Sequence, residues 1–382
     1  MDVGMMMVFA SYGWDDCSDA RVWDEEIRLA RLAADLGFDC LWSAEHHFND
    51  YSFVPDNIQL MTYLTALCPN IDLGTAAVIL PWHDPLRVVE NAAVLDMLSK
   101  GRLRLGLGRG LARREFAAFR LSMDESRERF DEAAPMIINA LKTGFIEGHG
   151  KYYPQPRTEI RPRPQHSFDG RIYAVASSEE AVDSAAKLGA HMVMFADRPW
   201  EMRAPVIERG RQLHRKYHGT EPPQVMLTEF CVCGTNLAET EAEARQYQGK
   251  FVESNFYHYE FLGEHFKTVK GYDAYQQKAD IARKGGIEGA DRLHAGRELG
   301  YARQDPAWAR RAPENCRRFR AQRRLPLRRH ALRARRARPE ALCQGSASGA
   351  QVAIVDPGSR GSRVRRCRDE RLRALSIAEL RG

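Results

Sequence analysis

The chain has 382 residues, with 57 Lys and Arg against 51 Asp and Glu, a formal net charge of +6 and a pI near 8.9. These totals average two unlike parts: residues 291–382 hold 24 Arg, no Lys and 9 acids, whereas residues 1–290 carry a net charge of −9. The acidic part argues against a nucleic-acid-binding domain, which is typically basic. No apolar run approaches the ~20 residues that span a bilayer. The N-terminus lacks the basic start and cleavage site of a secretory signal, so we expect a cytoplasmic protein.

Short apolar strands alternate with longer amphipathic helices through residues 1–290. The predicted strands are Met5–Ala10, Cys40–Ser43, Ile71–Ile79, Leu103–Gly108, Ile172–Ala176, His191–Phe195 and Val225–Val232. The predicted helices are Val22–Leu36, Asn57–Leu67, Leu86–Leu98, Ser126–Leu141, Glu179–Leu188, Glu201–Tyr217 and Glu239–Gln248. Such alternation implies parallel strands with right-handed crossovers. The α/β fold is therefore a doubly wound sheet or a TIM (β/α)₈ barrel that lacks one unit.

A polar, proline-rich segment, residues 144–169, interrupts this alternation. It is too long for an ordinary connection between a helix and a strand, so we expect a functional loop.

The first candidate site residue is His46, which follows the strand Cys40–Ser43 and precedes His47. Reactive residues of a TIM barrel lie at the C-terminal ends of its strands. An imidazole there can act as a general base near neutral pH, although two hydrogen-bonded structural histidines fit the pattern as well. Adjacent histidines on a helix cannot both bind one metal ion, and the eight cysteines are scattered, so we expect no metal site.

Three further positions suggest an anion site. Arg109 lies in a glycine-rich stretch after the strand Leu103–Gly108, Ser178 opens a predicted helix, and Arg127 lies near the start of another. Glycines allow a backbone to approach a ligand closely, and arginine binds phosphate. Each position also has a plainer interpretation: a tight turn, a helix N-cap or a solvated side chain. Together they predict a phosphate-bearing cofactor at the barrel mouth.

In order and spacing, these motifs resemble those of the bacterial luciferase-like flavin-dependent monooxygenases. The matching segments are LAADLGFDCLWSAEHHF, IDLGTAAVILPWHDPLRVVENAAVLDMLSKGRLRLGLGRG, ESRERFDEA and YAVASSEEAVDSAAKLGAHMVMF, and the resemblance covers nearly all of residues 3–290. It implies a luciferase-like TIM barrel with an inserted loop, usually as a homo-oligomer. It also implies that reduced FMN, from a separate flavin reductase, and O₂ oxidise an aldehyde or another small organic substrate through a flavin C4a-peroxide.

The resemblance assigns roles to individual residues. His46 matches the active-site histidine, which acts as a base or stabilises an intermediate, and Ala76-Ala77 falls where the family has a cis peptide beneath the flavin ring. The residues that match flavin-phosphate contacts are Arg109, Leu111, Arg127 and Ser178. Ala181 stands where the family has a further hydroxyl.

Two other functions stay open. An F420-dependent dehydrogenase has the same fold, although the segments EHHF and GRLRLGLGRG favour FMN. A basic nucleic-acid-binding protein would follow only from a genuine arginine-rich tail, which lacks the aromatic residues of a stacking surface.

The tail departs from the family, which ends with an eighth strand and helix. Codons chosen for residues 293–306 and 325–350 and read one nucleotide later can encode the family's turn and its last strand–turn–helix unit. We therefore expect a barrel domain over residues 1–290, with the eighth βα unit replaced by an out-of-frame tail over residues 291–382. We expect the tail to form no packed βα unit against the first strand, because its apolar residues follow neither the helix nor the strand period for any useful length.

Overall fold

The computed structural model describes residues 2–15, 17–195, 198, 200–234, 237–272, 275–276, 279–280, 283, 298–301 and 351–355. The strands are β1 (Asp2–Met7), β2 (Cys40–Ser43), β3 (Asp72–Thr75), β4 (Val78–Ile79), β5 (Leu103–Gly108), β6 (Phe145–Gly148), β7 (Gln155–Glu159), β8 (Ile172–Val175), β9 (His191–Met194), β10 (Met226–Gly234), β11 (Glu298–Tyr301) and β12 (Gln351–Val355). The helices are α1 (Asp19–Asp35), α2 (Asn57–Leu67), α3 (Pro85–Ser99), α4 (Arg113–Ala118), α5 (Ser126–Thr143), α6 (Glu179–Lys187), α7 (Trp200–His218) and α8 (Leu237–Tyr259).

A nearly closed barrel of seven parallel strands forms the centre of the fold, in the order β1-β2-β3-β5-β8-β9-β10, with β4 paired to β5. This confirms the predicted α/β barrel with an incomplete eighth unit. The helices pack their apolar faces on the strands. In the core between them, Met7, Leu41 and Leu73 have no exposed surface. No helix among the described residues combines the length and apolar character needed to cross a membrane.

Two predicted elements have a different shape in the structure. The predicted strand Ile71–Ile79 is split into β3 and β4 at Ala76-Ala77, whose peptide bond is cis. The predicted loop over residues 144–169 contains the antiparallel hairpin β6–β7 instead of irregular chain alone. Helix α4, directly after the glycine-rich stretch, has no counterpart among the predicted helices.

The described part of the tail contributes two strands to the sheet. Strand β12 pairs antiparallel with β1 on one side and with β10 on the other, so residues 351–355 lie beside the first strand, where no packed βα unit was expected. Strand β11 pairs parallel with Cys231–Gly234 of β10. An open barrel edge exposes unpaired backbone groups, and a short, largely apolar segment can satisfy them in either direction. The rest of the predicted tail, other than β11, lies outside the described residues.

We propose that residues 1–290 are the barrel domain and that residues 291–382 come from an out-of-frame reading of the gene. Sequencing across the codons for residues 286–293 should reveal an inserted or lost nucleotide. Restoring the frame should place a parallel strand and its helix between β10 and β1, and urea unfolding should then give a higher free energy of unfolding.

A chain that ends at residue 290 is the control, because it lacks both versions of the last unit. An intact reading frame, or a restored chain no more stable than this truncated one, would contradict the proposal.

Candidate functional site

A cavity of about 1280 Å³, counted with its open mouth, lies at the C-terminal ends of the barrel strands. Concave, largely apolar cavities with a few polar groups are the usual form of small-molecule sites. All the residues predicted for the site line it: His46, Ala76, Ala77, Arg109, Leu111, Arg127 and Ser178. The structure therefore brings together side chains that are up to 132 positions apart in the sequence.

The cis peptide bond between Ala76 and Ala77 forms part of the cavity wall, as the family resemblance implies. Strand β5 passes so close behind it that a Cβ on Gly106 would stand 2.0 Å from the carbonyl oxygen of Thr75. The side-chain amide of Asn57 donates to the carbonyl oxygen of Ala77 at 3.0 Å. Glycine on β5 and the buried amide together hold this turn against the barrel.

Arg109 is held from the side away from the cavity. Its Nη2 donates to the carbonyl oxygen of Gly271 at 2.9 Å, and its guanidinium lies 4.0 Å above the ring of Tyr272. The Tyr272 hydroxyl in turn donates to the carbonyl oxygen of Gly110 at 3.0 Å. The Nη1 atom of Arg109 is buried and has no hydrogen-bond partner among the described residues.

Arg127, in the first turn of α5, adds a second guanidinium. Its Nη1 donates to the hydroxyl of Ser184 at 3.2 Å, whereas Nε and Nη2 are buried without hydrogen-bond partners in the described part of the chain. Burial and the nearby charge of Arg109 lower its pKa, and Asp131 and Glu180 offset this only in part, at 3.6 and 3.9 Å. Buried donors without acceptors are costly. Three such donors on two neighbouring arginines form a site that suits an anion such as a phosphate.

Ser178 caps the N-terminus of α6, where its hydroxyl accepts a hydrogen bond from the amide of Ala181 at 3.3 Å. The plainer prediction for this residue, a helix N-cap, is therefore confirmed. The same turn of backbone lines the cavity, and a helix N-terminus favours negative charge.

His46 lies in a buried network of hydrogen-bonding side chains. Its Nδ1 is 3.3 Å from Oε1 of Glu115, and its Nε2 is 3.1 Å from the hydroxyl of Tyr259. Glu115 also accepts the backbone N–H of His47 at 2.7 Å, and Nε2 of His258 lies 3.5 Å away. Burial alone would raise the pKa of Glu115, but the charge of His46 and the hydrogen bonds from both imidazoles lower it to about 2.

The neighbouring His47 has a different environment. Its ring packs edge-on against Trp82 and Phe119, and its Nε2 lies 3.4 Å from Glu45. Glu45 also accepts the backbone N–H of Ile79 at 3.0 Å, which ties the loop after β2 to β4. The structural interpretation of the histidine pair therefore suits His47, while His46 is the one that lines the cavity.

A metal site was not expected, yet ligand atoms of His46, Glu115 and His258 all lie within 4.8 Å of one another. Nδ1 of His46 and the backbone N–H of His47 hydrogen-bond Oε1 of Glu115, whereas Nε2 of His258, 3.5 Å from the same oxygen, has no hydrogen-bond partner among the described residues.

Sequence reasoning missed Glu115, His258, Tyr259 and Tyr272. Glu115 sits on the six-residue helix α4, which is too short to show a helical period. The other three belong to an aromatic-rich segment, and that composition was the available signal. It could not indicate which of its rings would reach His46 or Arg109.

The fold and the site together define a class: parallel α/β barrels with buried arginine donors and a buried histidine in one cavity. The model of the family "Luciferase-like monooxygenase" matches residues 1–316, which is most of the chain. The chain belongs to this family.

Individual relatives agree with this assignment. The chain is 29% identical to the alkanal monooxygenase alpha chain of Photorhabdus laumondii over 177 residues, 46% of this chain and 49% of the relative. It is 26% identical to the oxygenase component of the flavin-dependent trigonelline monooxygenase of Acinetobacter baylyi over 262 residues, 67% of this chain and 69% of the relative. The matched part thus spans about half the length of the alkanal monooxygenase relatives. The solved structure of the monooxygenase RslO1 from Streptomyces bottropensis shares the fold, with a TM-score of 0.61, 23% identity and coverage of 77% of this chain and 97% of that one.

The lowered pKa of Glu115 predicts a pH-dependent stability. A carboxyl group whose folded pKa is about 2 stabilises the fold fully above its usual pKa of 4.5 and loses that contribution as the pH falls towards 2. The contribution is about 3 kcal/mol at most. Urea unfolding from about pH 6 to about pH 3.5 should therefore show a steeper loss of stability for the natural chain than for Glu115→Gln.

The matched control is Glu128→Gln. Hydrogen bonds from Tyr152 and Lys270 also lower the pKa of Glu128, but its side chain is exposed, and solvent screens such contacts. Equal pH slopes for Glu115→Gln and the natural chain would contradict an ionised, stabilising Glu115.

Proposed function

We propose that this chain is a monooxygenase that uses reduced FMN and O₂ to oxidise an aldehyde or another small organic substrate. The observation that carries the proposal is the set of buried guanidinium N–H groups of Arg109 and Arg127 that have no hydrogen-bond partner among the described residues, in the same cavity as His46. An FMN phosphate offers the acceptors that these donors lack.

The residues present fit FMN at several points. Arg109, Arg127 and the N-terminus of α6 at Ser178 would hold the phosphate, with Leu111 beside them, and the Ala76-Ala77 turn would lie against the flavin ring. Bound reduced FMN would supply the electrons for O₂ activation, while the protein orients the reactants and keeps out water. His46 would act as base or stabilise charge at the reacting atoms.

The remaining cavity wall supports a small, uncharged organic substrate. Away from the two arginines it is lined largely by apolar and aromatic side chains, among them Val8, Phe195, Phe230 and Phe251. Such a wall stabilises apolar ligands and disfavours charged ones, which would lose their hydration without a partner.

Reduced FMN would come from a separate flavin reductase. The Acinetobacter relative is the oxygenase component of a flavin-dependent monooxygenase, which supports such a separation of flavin reduction from oxygenation. The expected homo-oligomer is likewise a proposal.

The proposal is tested by anaerobic titration of the chain with reduced FMN and reduced F420, followed by addition of O₂ with and without decanal. We expect FMN to bind and decanal to be oxidised in an O₂-dependent reaction. Selective binding of F420, with hydride transfer in the absence of O₂, would replace the proposal by the dehydrogenase alternative.

The phosphate site gives the first mutational prediction. Replacing Arg109 by Ala removes a charge-assisted contact worth about 1.5–3 kcal/mol, so FMN should bind about ten- to a hundredfold more weakly. Riboflavin, which has no phosphate, should bind both proteins equally well in a fluorescence titration. Arg114→Ala is the control, because Arg114 packs on the exposed Tyr257 outside the cavity. Equal losses for FMN and riboflavin would contradict a phosphate contact.

The second mutational prediction concerns His46. If His46 holds or moves a proton during turnover, His46→Ala should lower kcat by a factor of about 10²–10⁴, the usual contribution of a positioned acid–base group. The dissociation constant of FMN should stay within about threefold of the natural value, because the phosphate site is untouched. A parallel collapse of FMN affinity and turnover would point to a structural histidine instead.

A further inference from the structure

The hydrogen-bonding state of His46 follows from the carboxylate beside it. Glu115 has no exposed side-chain surface, and its Oε1 accepts the backbone N–H of His47 at 2.7 Å, so this oxygen acts as a hydrogen-bond acceptor. The Nδ1 of His46, 3.3 Å from Oε1, must therefore carry a hydrogen. In a neutral imidazole the other nitrogen, Nε2, is then an acceptor.

That acceptor is already occupied by a tyrosine. Nε2 of His46 lies 3.1 Å from the hydroxyl oxygen of Tyr259. Burial raises the pKa of Tyr259 well above its usual value, so the hydroxyl is protonated and donates to His46. The site cannot use Nε2 directly while this bond exists.

A second tyrosine packs against Tyr259. The side-chain amide of Asn255 donates to the hydroxyl oxygen of Tyr51 at 2.8 Å, and the rings of Tyr51 and Tyr259 meet edge-on with their centroids 5.5 Å apart. Asn255 thus holds Tyr51 against the pair formed by Tyr259 and His46.

Both His46 and Tyr259 line the cavity, where His46 is only 9% exposed. A substrate in the cavity can therefore contact Tyr259.

We propose that Tyr259 is a catalytic residue and that His46 exchanges protons with the substrate through it, with Glu115 as a positioning residue. This inference rests on the proposed function. A proton leaving the bound substrate forms a bond to the Tyr259 oxygen while the Tyr259 proton moves to Nε2 of His46. Tyr259 ends as a neutral phenol, His46 as an imidazolium paired with Glu115, and the reverse step returns the proton. The roles follow the logic of other nucleophile- or base-orienting triads.

The first test needs no cofactor. In ¹⁵N NMR of the histidine-labelled chain, His46 should show a protonated Nδ1 and an unprotonated, hydrogen-bonded Nε2. Tyr259→Phe, which removes only the hydroxyl, should shift the Nε2 signal and leave Nδ1 nearly unchanged. Tyr257→Phe, two positions earlier on the exposed face of α8, is the matched control and should shift neither. A hydrogen on Nε2, or no response to Tyr259→Phe, would overturn the proposal.

The second test uses turnover. Tyr259→Phe should lower kcat about 10²–10⁴-fold, while KM and the dissociation constant of FMN change less than about threefold. The double variant His46→Ala with Tyr259→Phe should be no slower than the slower single variant, because both remove one relay. Multiplying losses would mean two independent groups and would overturn the relay.

The two tests separate the failures. A natural chain that neither binds FMN nor oxidises a substrate would refute the proposed function, whereas the NMR result would still decide whether His46 accepts from Tyr259. FMN-dependent turnover that Tyr259→Phe leaves intact would refute the relay alone.

Discussion

The barrel depends on glycines in the two strands beside Trp42, because the large Trp42 ring needs the space that their side chains would fill. Trp42 on β2 is fully buried, and a Cβ on Gly4 or Gly74 of the neighbouring strands would stand 2.6 or 2.2 Å from its ring. Core packing leaves no space for such overlap. A third glycine has the same role: because Gly106 has no side chain, β5 lies directly against Thr75, and the chain turns at Ala76-Ala77 over β5. The position of this part of the cavity wall therefore depends on glycines in the strands and not on a ligand.

Charge is distributed unevenly around the cavity, and this links stability to ligand binding. The two guanidiniums at one end have three buried donors without hydrogen-bond partners among the described residues, whereas Oε1 of Glu115 beside His46 accepts the backbone N–H of His47. Burying an incompletely paired charge is costly, so acceptors supplied by a ligand would stabilise this end of the cavity. A ligand that supplies acceptors stabilises the folded state by mass action. The Tyr272 ring and the Gly271 carbonyl hold Arg109 in place in the meantime.

The sequence predicted best the elements with strong local signals. Strand Leu103–Gly108 and helix Asn57–Leu67 have their predicted bounds, because a buried run and an N-cap mark them. Helix α8 was expected to end at Gln248 but extends to Tyr259, since its aromatic second half lacks a clear helical period. Tyr259 was missed for this reason. The predicted cavity residues each follow a strand or begin a helix, whereas the partners of His46 come from sequence-distant segments that only the closed fold brings together.

The antiparallel strand β12 shows that closure of the barrel and formation of the cavity depend on different parts of the chain. Unpaired edges of β1 and β10 need backbone partners, and a five-residue apolar segment supplies them regardless of direction. An antiparallel strand ends at the opposite face of the barrel, so it cannot deliver the loop that a parallel eighth unit would place at the cavity. The cavity is nevertheless lined, within the described part of the chain, by residues no later than Tyr275. The end of the cavity with Arg109 and Arg127 and the His46 network therefore need the first seven units, while an eighth unit would close the barrel around them.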